Sequence, residues 1–247
     1  MGSGTQIRVL GPIEIVASSG DPVAAGARLR TLLAALVISA GRAVPIGSLQ
    51  FVLWGDRPPA AADNTLQTYV SQLRHVLGHD AVVLVDHSYR LDVDAGTIDA
   101  VQFERLLSAA TDHRSDHERC RLLCRQALDL WRGRAFGDLA DDESFVLEAY
   151  RLDELRLAAM ELALESELGL GRHELIIGEL ELAVDEHPYR EGLWYLLIEA
   201  LSVSDRRVEA LRACERLRRV LAEAGLEAGD RLIEREQAIL LGTPNAH

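Results

Sequence analysis

Residues 63–93 read DNTLQTYVSQLRHVLGHDAVVLVDHSYRLDV. Leu66, Val70, Leu73 and Leu77 recur there at intervals of three and four, the spacing of one face of an α-helix. That leaves Thr65, Thr68, Tyr69, Ser71, Gln72, Arg74 and His75 for the other faces, a set that is polar and hydrogen-bonding but weakly charged. Two β-rich runs follow, VVLV and SYRLDV, facing each other across Asp86–Ser88 as a short hairpin. Hydroxyls and carboxamides donate and accept at base edges, and an arginine pairs with a guanine or a phosphate. A helix with this face, backed by a twisted β-ribbon, therefore predicts a winged helix that meets a DNA duplex. An ordinary amphipathic helix satisfies the apolar spacing equally well, so the neighbouring chain has to decide.

Upstream, IRVLGPIEIV (7–16) alternates around a Gly-Pro turn and Pro22-Val23 follows a Gly-Asp turn, which predicts a small N-terminal sheet. ARLRTLLAALVISAG (27–41) places Leu29, Leu32, Leu33, Leu36 and Val37 on one helical face and stops at Gly41. PIGSLQFVLW starts with Pro45 at the helix entrance and runs to Gly55, after which two prolines break the chain before the third helix. Downstream of Asp94-Ala95-Gly96 every segment reads as helix, at about 99–111, 116–132, 142–169, 172–187, 190–203, 206–224 and 229–241. Ser115 with Glu118 reads as a capping box for the second of these. The later helices come in pairs with small residues at the crossings, as in tetratricopeptide-like stacks, whose concave faces bind protein. The expected architecture is mixed: an N-terminal α+β winged helix-turn-helix over residues 1–96, then an all-α tetratricopeptide-like domain over 97–247.

The net charge of −13 looks wrong for a DNA binder, since phosphate neutralisation supplies most non-specific affinity. Its distribution matters more than its total. Residues 1–97 hold seven arginines against eight acids, a net of −1, so the remaining 150 residues carry −12. There is no lysine in the chain. An acidic half joined to a near-neutral one is the asymmetry expected when one part touches nucleic acid. Three cysteines are too few for a disulfide framework, no apolar run is long enough to span a bilayer, and the opening MGSGTQ has no signal-peptide character. Together these point to the cytoplasm.

Catalytic chemistry finds no support. Nucleophile elbow, HExxH, dinucleotide loop and deaminase signature are all missing, and no cofactor motif is present. His113, His117, Cys120 and Cys124 have metal-like spacing, but a helix starting after His113 and cysteines that simply fill core explain them better, so no metal site is expected. Asp141-Asp142-Glu143 is read as a solvated helix start. Trp54, Trp131 and Trp194 are read as core anchors. Arg90, at the hairpin base, is assigned to DNA in preference to a salt bridge with Asp92 or Asp94.

Several motifs in order carry a resemblance over nearly the whole chain: LWGDRPPAAADNTLQTYVSQLRHVLG, SYRLDV, FERLL, ALDLWRG, LDELRL, ELGLGRH, EHPYREGLW and EALRACERLRRVL. Together they resemble the SARP (antibiotic regulatory protein) family of transcriptional activators. The resemblance implies an OmpR-type winged helix followed by a bacterial transcriptional activation domain. It further implies binding to promoter-proximal direct repeats, recruitment of RNA polymerase, side-by-side homodimers on DNA and control of a biosynthetic gene cluster. Gln72, His75 and the tip Asp86-His87-Ser88 lack the positive charge that relatives place there, which lowers the expected phosphate affinity. Arg57, between two helices, is a candidate polymerase contact. No GxxxxGK[ST] loop follows the helical domain, so a short form without an NTPase extension is expected. The rival reading is a protein-interaction adaptor whose winged helix has lost DNA.

Overall fold

The computed structural model describes residues 4–242. Two compact units emerge from the packing: Met1–Ser108 with Gln126–Leu157, and Ala109–Arg125 with Ala158–His247. By packing, therefore, residues 99–108 and 126–157 join the N-terminal elements, although the charge and periodicity of the sequence change at 96.

The first unit begins with a three-stranded antiparallel sheet of β1 (Gln6–Arg8), β2 (Glu14–Val16) and β3 (Pro22–Val23). Ile7 lies opposite Ile15, and Ile15 opposite Val23, so the apolar positions share the inner face. Helix α1 (Ala27–Ile38) follows and is buried almost all round, with Leu29, Leu32, Leu33, Leu36 and also Thr31, Ala34 and Ala35 inside. It is the centre of the unit, touched by α2 (Ile46–Trp54), α3 (Ala62–Leu77) and the hairpin, rather than a helix with one core-facing stripe. Arg28 donates to the Leu53 carbonyl and ties α1 to the end of α2.

One short strand escapes the sequence reading. Val44–Pro45 forms β4, pairing with Tyr89 and Ser88, so Pro45 sits in a strand at the helix N-cap rather than inside the helix. Two residues are too short to show a period, and proline at a sheet edge forfeits a donor that the ladder does not need. Strands β5 (Val82–Val85) and β6 (Ser88–Leu91) complete the second sheet in the order β4-β6-β5. Their tight turn puts Asp86 and His87 at φ 42° and 58°, the left-handed pair that a two-residue hairpin loop needs.

A 3-10 turn at Ala95–Thr97 leads into α4 (Asp99–Asp112), and Asp99 is where the N-terminal sheet is fastened. The Asp99 carboxylate is buried and accepts from the backbone amides of Val9 at 2.8 Å and Leu10 at 3.1 Å and from Arg132 Nη2 at 3.2 Å. The backbone completes the join: Arg132 N donates to Leu10 O and Phe136 N to Val9 O, and Ile98 bridges Ile7 in parallel. Gly11, at φ 143°, turns the chain beneath this segment, where a Cβ would meet the Arg132 Cβ at 3.0 Å.

The second unit holds α5 (His117–Leu128) up to Arg125, the C-terminal part of α6 (Val146–Gly169), and α7 (His173–Glu186), α8 (Glu191–Val203), α9 (Arg207–Glu223) and α10 (Asp230–Leu241). Helix α7 packs on α8 and α8 on α9 around one core containing Leu180, Trp194, Leu197, Cys214 and Leu217, a tetratricopeptide-like stack. The expected capping box is corrected: Asp116, not Ser115, caps α5 by accepting from Arg119 N at 3.1 Å, while Glu118 pairs with Arg121 at 2.7 Å. An aspartate one residue nearer the helix serves the same free amide. Among the described residues no helix is long and apolar enough to cross a membrane.

Burial pushes the Asp99 carboxyl up from its ordinary value of 3.8, outweighing the two amides and Arg132 that pull it down. With the folded-state pKa raised, the linked contribution of this group is full below 3.8 and declines as pH rises through the folded value. The carboxylate still satisfies the Val9 and Leu10 amides, which no other acceptor serves. Asp99→Ala orphans the two amides at about 1–3 kcal/mol each, so urea denaturation should show a loss of about 3 kcal/mol, and Asp99→Asn recovers at most part of it, because both oxygens accept here and a carboxamide has one acceptor. A loss below about 1 kcal/mol for the alanine variant would remove Asp99 as the fastening point.

Candidate nucleic-acid interface

Helix α3 is held by a seam of Leu66, Val70 and Leu73, all fully buried against α1 and α2. Gln50 Nε2 donates to Asp63 Oδ1 at 2.6 Å and fixes the first turn to α2. Gly78, at φ 116°, ends the helix, its amide donating to Arg74 O. The seam settles what the rest of α3 can do.

Of the expected reading set, Thr68, Ser71, Gln72 and His75 are exposed, whereas Thr65, Tyr69 and Arg74 are half-buried along the flanks. Asn64 and Gln67 are exposed too and were missed by the sequence reading. At about 100° per residue Asn64, Thr68, Ser71 and His75 line up opposite Leu66 and Val70, so the angular count could have found Asn64. Gln67 stands beside that line. The outward ridge is thus two amides, two hydroxyls and an imidazole with Gln72 alongside. The Thr68 hydroxyl donates to Asn64 O and that of Thr65 to Ala61 O, both at 2.9 Å, so each threonine oxygen is left chiefly as an acceptor.

Arg74 has a more specific position than its spacing implied. Its Nε donates to Val82 O at 2.7 Å, tying the helix to the first residue of β5. The terminal guanidinium nitrogens remain available, but the stem is fixed from helix to hairpin. Arg90 meets Asp92 at 3.2 Å, one of the two acidic partners weighed against DNA, while Asp94 instead accepts from Gly96 N. Exposed pairs of this kind contribute about 0.2–1 kcal/mol, little enough for a phosphate to displace Asp92. The hairpin tip is apolar and acidic, with Leu84 and Val85 exposed beside Asp86. Arg57 lies exposed in the α2–α3 connection, its amide donating to Trp54 O.

The other candidates resolve into packing. Cys120 and Cys124 are fully buried; burial pushes the Cys124 thiol up to about 12, with Cys120 adding to it. The His113 ring bonds the Ala109 carbonyl at 2.8 Å, and among the described residues no three metal-ligating side chains converge. Asp141 pairs with Arg134, and the Asp142 side chain accepts from Ser144 N just before α6. Trp131 meets Phe103 edge-on at 5.3 Å, and the Trp194 indole donates to Pro188 O.

Arg74→Ala should lower stability by about 1–2 kcal/mol, the size of a lost charge-assisted hydrogen bond, whereas His75→Ala should stay within about 0.5 kcal/mol. Chemical denaturation of both variants checks this, and coincident midpoints would show that the Val82 contact contributes nothing.

Residues 98–240 match the family described as "Bacterial transcriptional activator domain", and residues 20–88 match "Transcriptional regulatory protein, C terminal". The chain is 37% identical to the regulatory protein DnrI of Streptomyces peucetius over 97% of its own length and 93% of that protein. It is 35% identical to the regulatory protein AfsR of Streptomyces griseus, spanning 94% of this chain but 24% of that much longer one. A solved structure of Mycobacterium tuberculosis EmbR, in complex with a low affinity phosphopeptide, superposes with a TM-score of 0.91 at 33% identity, covering 98% of this chain and 66% of that one. With a winged helix, a matching activator domain and full-length likeness to a regulator in hand, the chain belongs to the SARP family of transcriptional regulators, a family of regulators and not of enzymes.

Proposed function

We propose that the protein is a sequence-specific DNA-binding activator that places α3 in the major groove of promoter-proximal direct repeats. The observation that carries this reading is the outward ridge of α3, hydrogen-bonding and almost uncharged, held rigidly by its buried seam and braced to the hairpin through Arg74. Residues 1–96 read DNA and residues 97–247 activate, in the cytoplasm, as a homodimer on adjacent repeats near a biosynthetic gene cluster. Within the ridge Thr68, Ser71, Gln72 and His75 make base contacts together with Asn64 and Gln67. Thr65 and Tyr69 flank the groove. Arg74 and Arg90 take phosphates, and Arg57 faces RNA polymerase. Carboxamides pair bidentately with adenine, so base identity can be read without adding charge.

One observation favours the adaptor instead: the DNA-facing arginines are already engaged, Arg74 with Val82 O and Arg90 with Asp92, and the net charge of residues 1–97 is −1. Few free cations mean few displaced counterions, so binding should be modest and shallow in its salt dependence.

Gel-shift titration against the tandem repeats of the protein's own promoter region, at several salt concentrations, separates the two. The activator gives specific complexes whose log affinity falls with log salt by about 0.9 per phosphate contact; no specific complex at any salt leaves the adaptor. Gln67→Ala should cost about 1–3 kcal/mol on the cognate duplex and almost nothing on random DNA. An equal loss on both would place Gln67 outside base recognition.

A further inference from the structure

A cleft of about 380 Å³ opens within the first unit, walled by Ile38 at the end of α1, Leu91 at the end of β6, Val93 just after it, Ile98 before and Val101 within the first turn of α4, and Leu152 on α6. Its size is that of a small-molecule site. The polar lining consists of three residues: Glu104, Glu148 and Arg151. Arg151 is already committed, with Nε 2.9 Å and Nη2 2.6 Å from the two Glu148 oxygens and Nη2 2.5 Å from Glu104 Oε1. Two carboxylates share one guanidinium, so the lining carries a net charge of −1. A carboxylate or phosphate entering here would have to dislodge a glutamate from Arg151, while an ammonium group adds to the pair without breaking it.

The chain bordering the cleft is held in an unusual shape. Ala40 and Gly41, both lining residues, have φ 48° and 75° in succession, and Phe136 on another wall has φ 60°. Ala40 is held there by a local turn in which Arg42 N donates to Ser39 O, and Phe136 donates its own amide to Val9 O; non-glycine residues in this region cluster at ligand clamps as well as at turns. The polar crevice beside Asp99 differs, because the Asp99 and Arg132 groups are spent on each other and on backbone.

We propose that this cleft binds a small apolar amine, its hydrocarbon body against Ile38, Val101 and Leu152 and its ammonium on the Glu104 carboxylate oxygen that Arg151 does not engage. The walls include the end of α1, which supports α3, and the outgoing strand of the hairpin. An occupant therefore braces the frame of the DNA-reading head, a role beyond DNA recognition itself and independent of whether that reading holds.

The test uses the full chain and n-octylamine as the probe, kept below its micellar range, with octanoate and 1-octanol as matched controls, by thermal shift and isothermal calorimetry. Octylamine should bind saturably and raise the Tm, octanoate should do neither, and octanol should bind at least about tenfold more weakly. Val101→Trp, which fills the space, should abolish octylamine binding, and Glu104→Gln should weaken it about tenfold with an unchanged circular dichroism spectrum. No saturable octylamine binding, equal effects of the three probes, or binding indifferent to both substitutions would overturn the proposal. The Glu104→Gln arm decides alone if Val101→Trp does not fold.

Discussion

The Asp99 carboxylate is the point on which the first unit depends. Three donors converge on it from two directions, the Val9 and Leu10 amides just after β1 and the guanidinium of Arg132. Each alone is a modest interaction. Buried together they are decisive, because a core amide without an acceptor costs more than a satisfied one gains. Through this junction the opening sheet and the 126–157 segment share one core with the winged helix. The helix and hairpin proposed to meet DNA thus rest on a scaffold that reaches well past the end of the hairpin.

Rigidity on that scaffold compensates for a shortage of charge. A reader that relied on phosphate attraction would need free arginines, and here Arg90 is paired and Arg74 is fastened to the hairpin. What α3 offers is a fixed row of donors and acceptors, and in the proposed reading discrimination would rest on their geometry rather than on field strength. Seam and brace both serve that end: Leu66, Val70 and Leu73 set the rotation of the helix, and the Arg74–Val82 bond sets its relation to β5.

The helical unit handles charge in another way. Its arginines are largely tied to acids within the stack, as in Arg125–Glu179, Arg216–Glu181 and Arg218–Glu236. Arg235 is buried with its Nε 2.8 Å from Glu199, off the line a hydrogen bond requires, while its Nη2 donates to Ser202 Oγ at 2.9 Å. A buried pair of this kind is weak support for stability but strongly penalises any arrangement that separates its members, which favours a single placement for α10. Such a surface has few unpaired cations to offer a duplex.

Periodicity and turn chemistry alone determined the order of the longer elements, Leu66, Val70 and Leu73 of the α3 stripe, a hairpin turning within Asp86–Ser88 and the run of helices after residue 98, because each depends on residues within a few positions of one another; packing left Leu77 half-buried and put Ser88 into β6. Local signals failed where the element was too short, as in β4, or where neighbouring residues competed for one role, as Asp116 and Ser115 did at the start of α5. Angular counting on α3 held the information for Asn64, but which flank lies half-buried depended on where α1, α2 and β5 come to rest. Only the tertiary structure decided the partners of the polar groups: Arg74 with Val82 O, Arg90 with Asp92, and Asp99 with an amide 90 positions away. A charged side chain carries no mark of its partner in sequence, since its choice among water, backbone and carboxylate is made by whatever packing brings within about 3 Å of it.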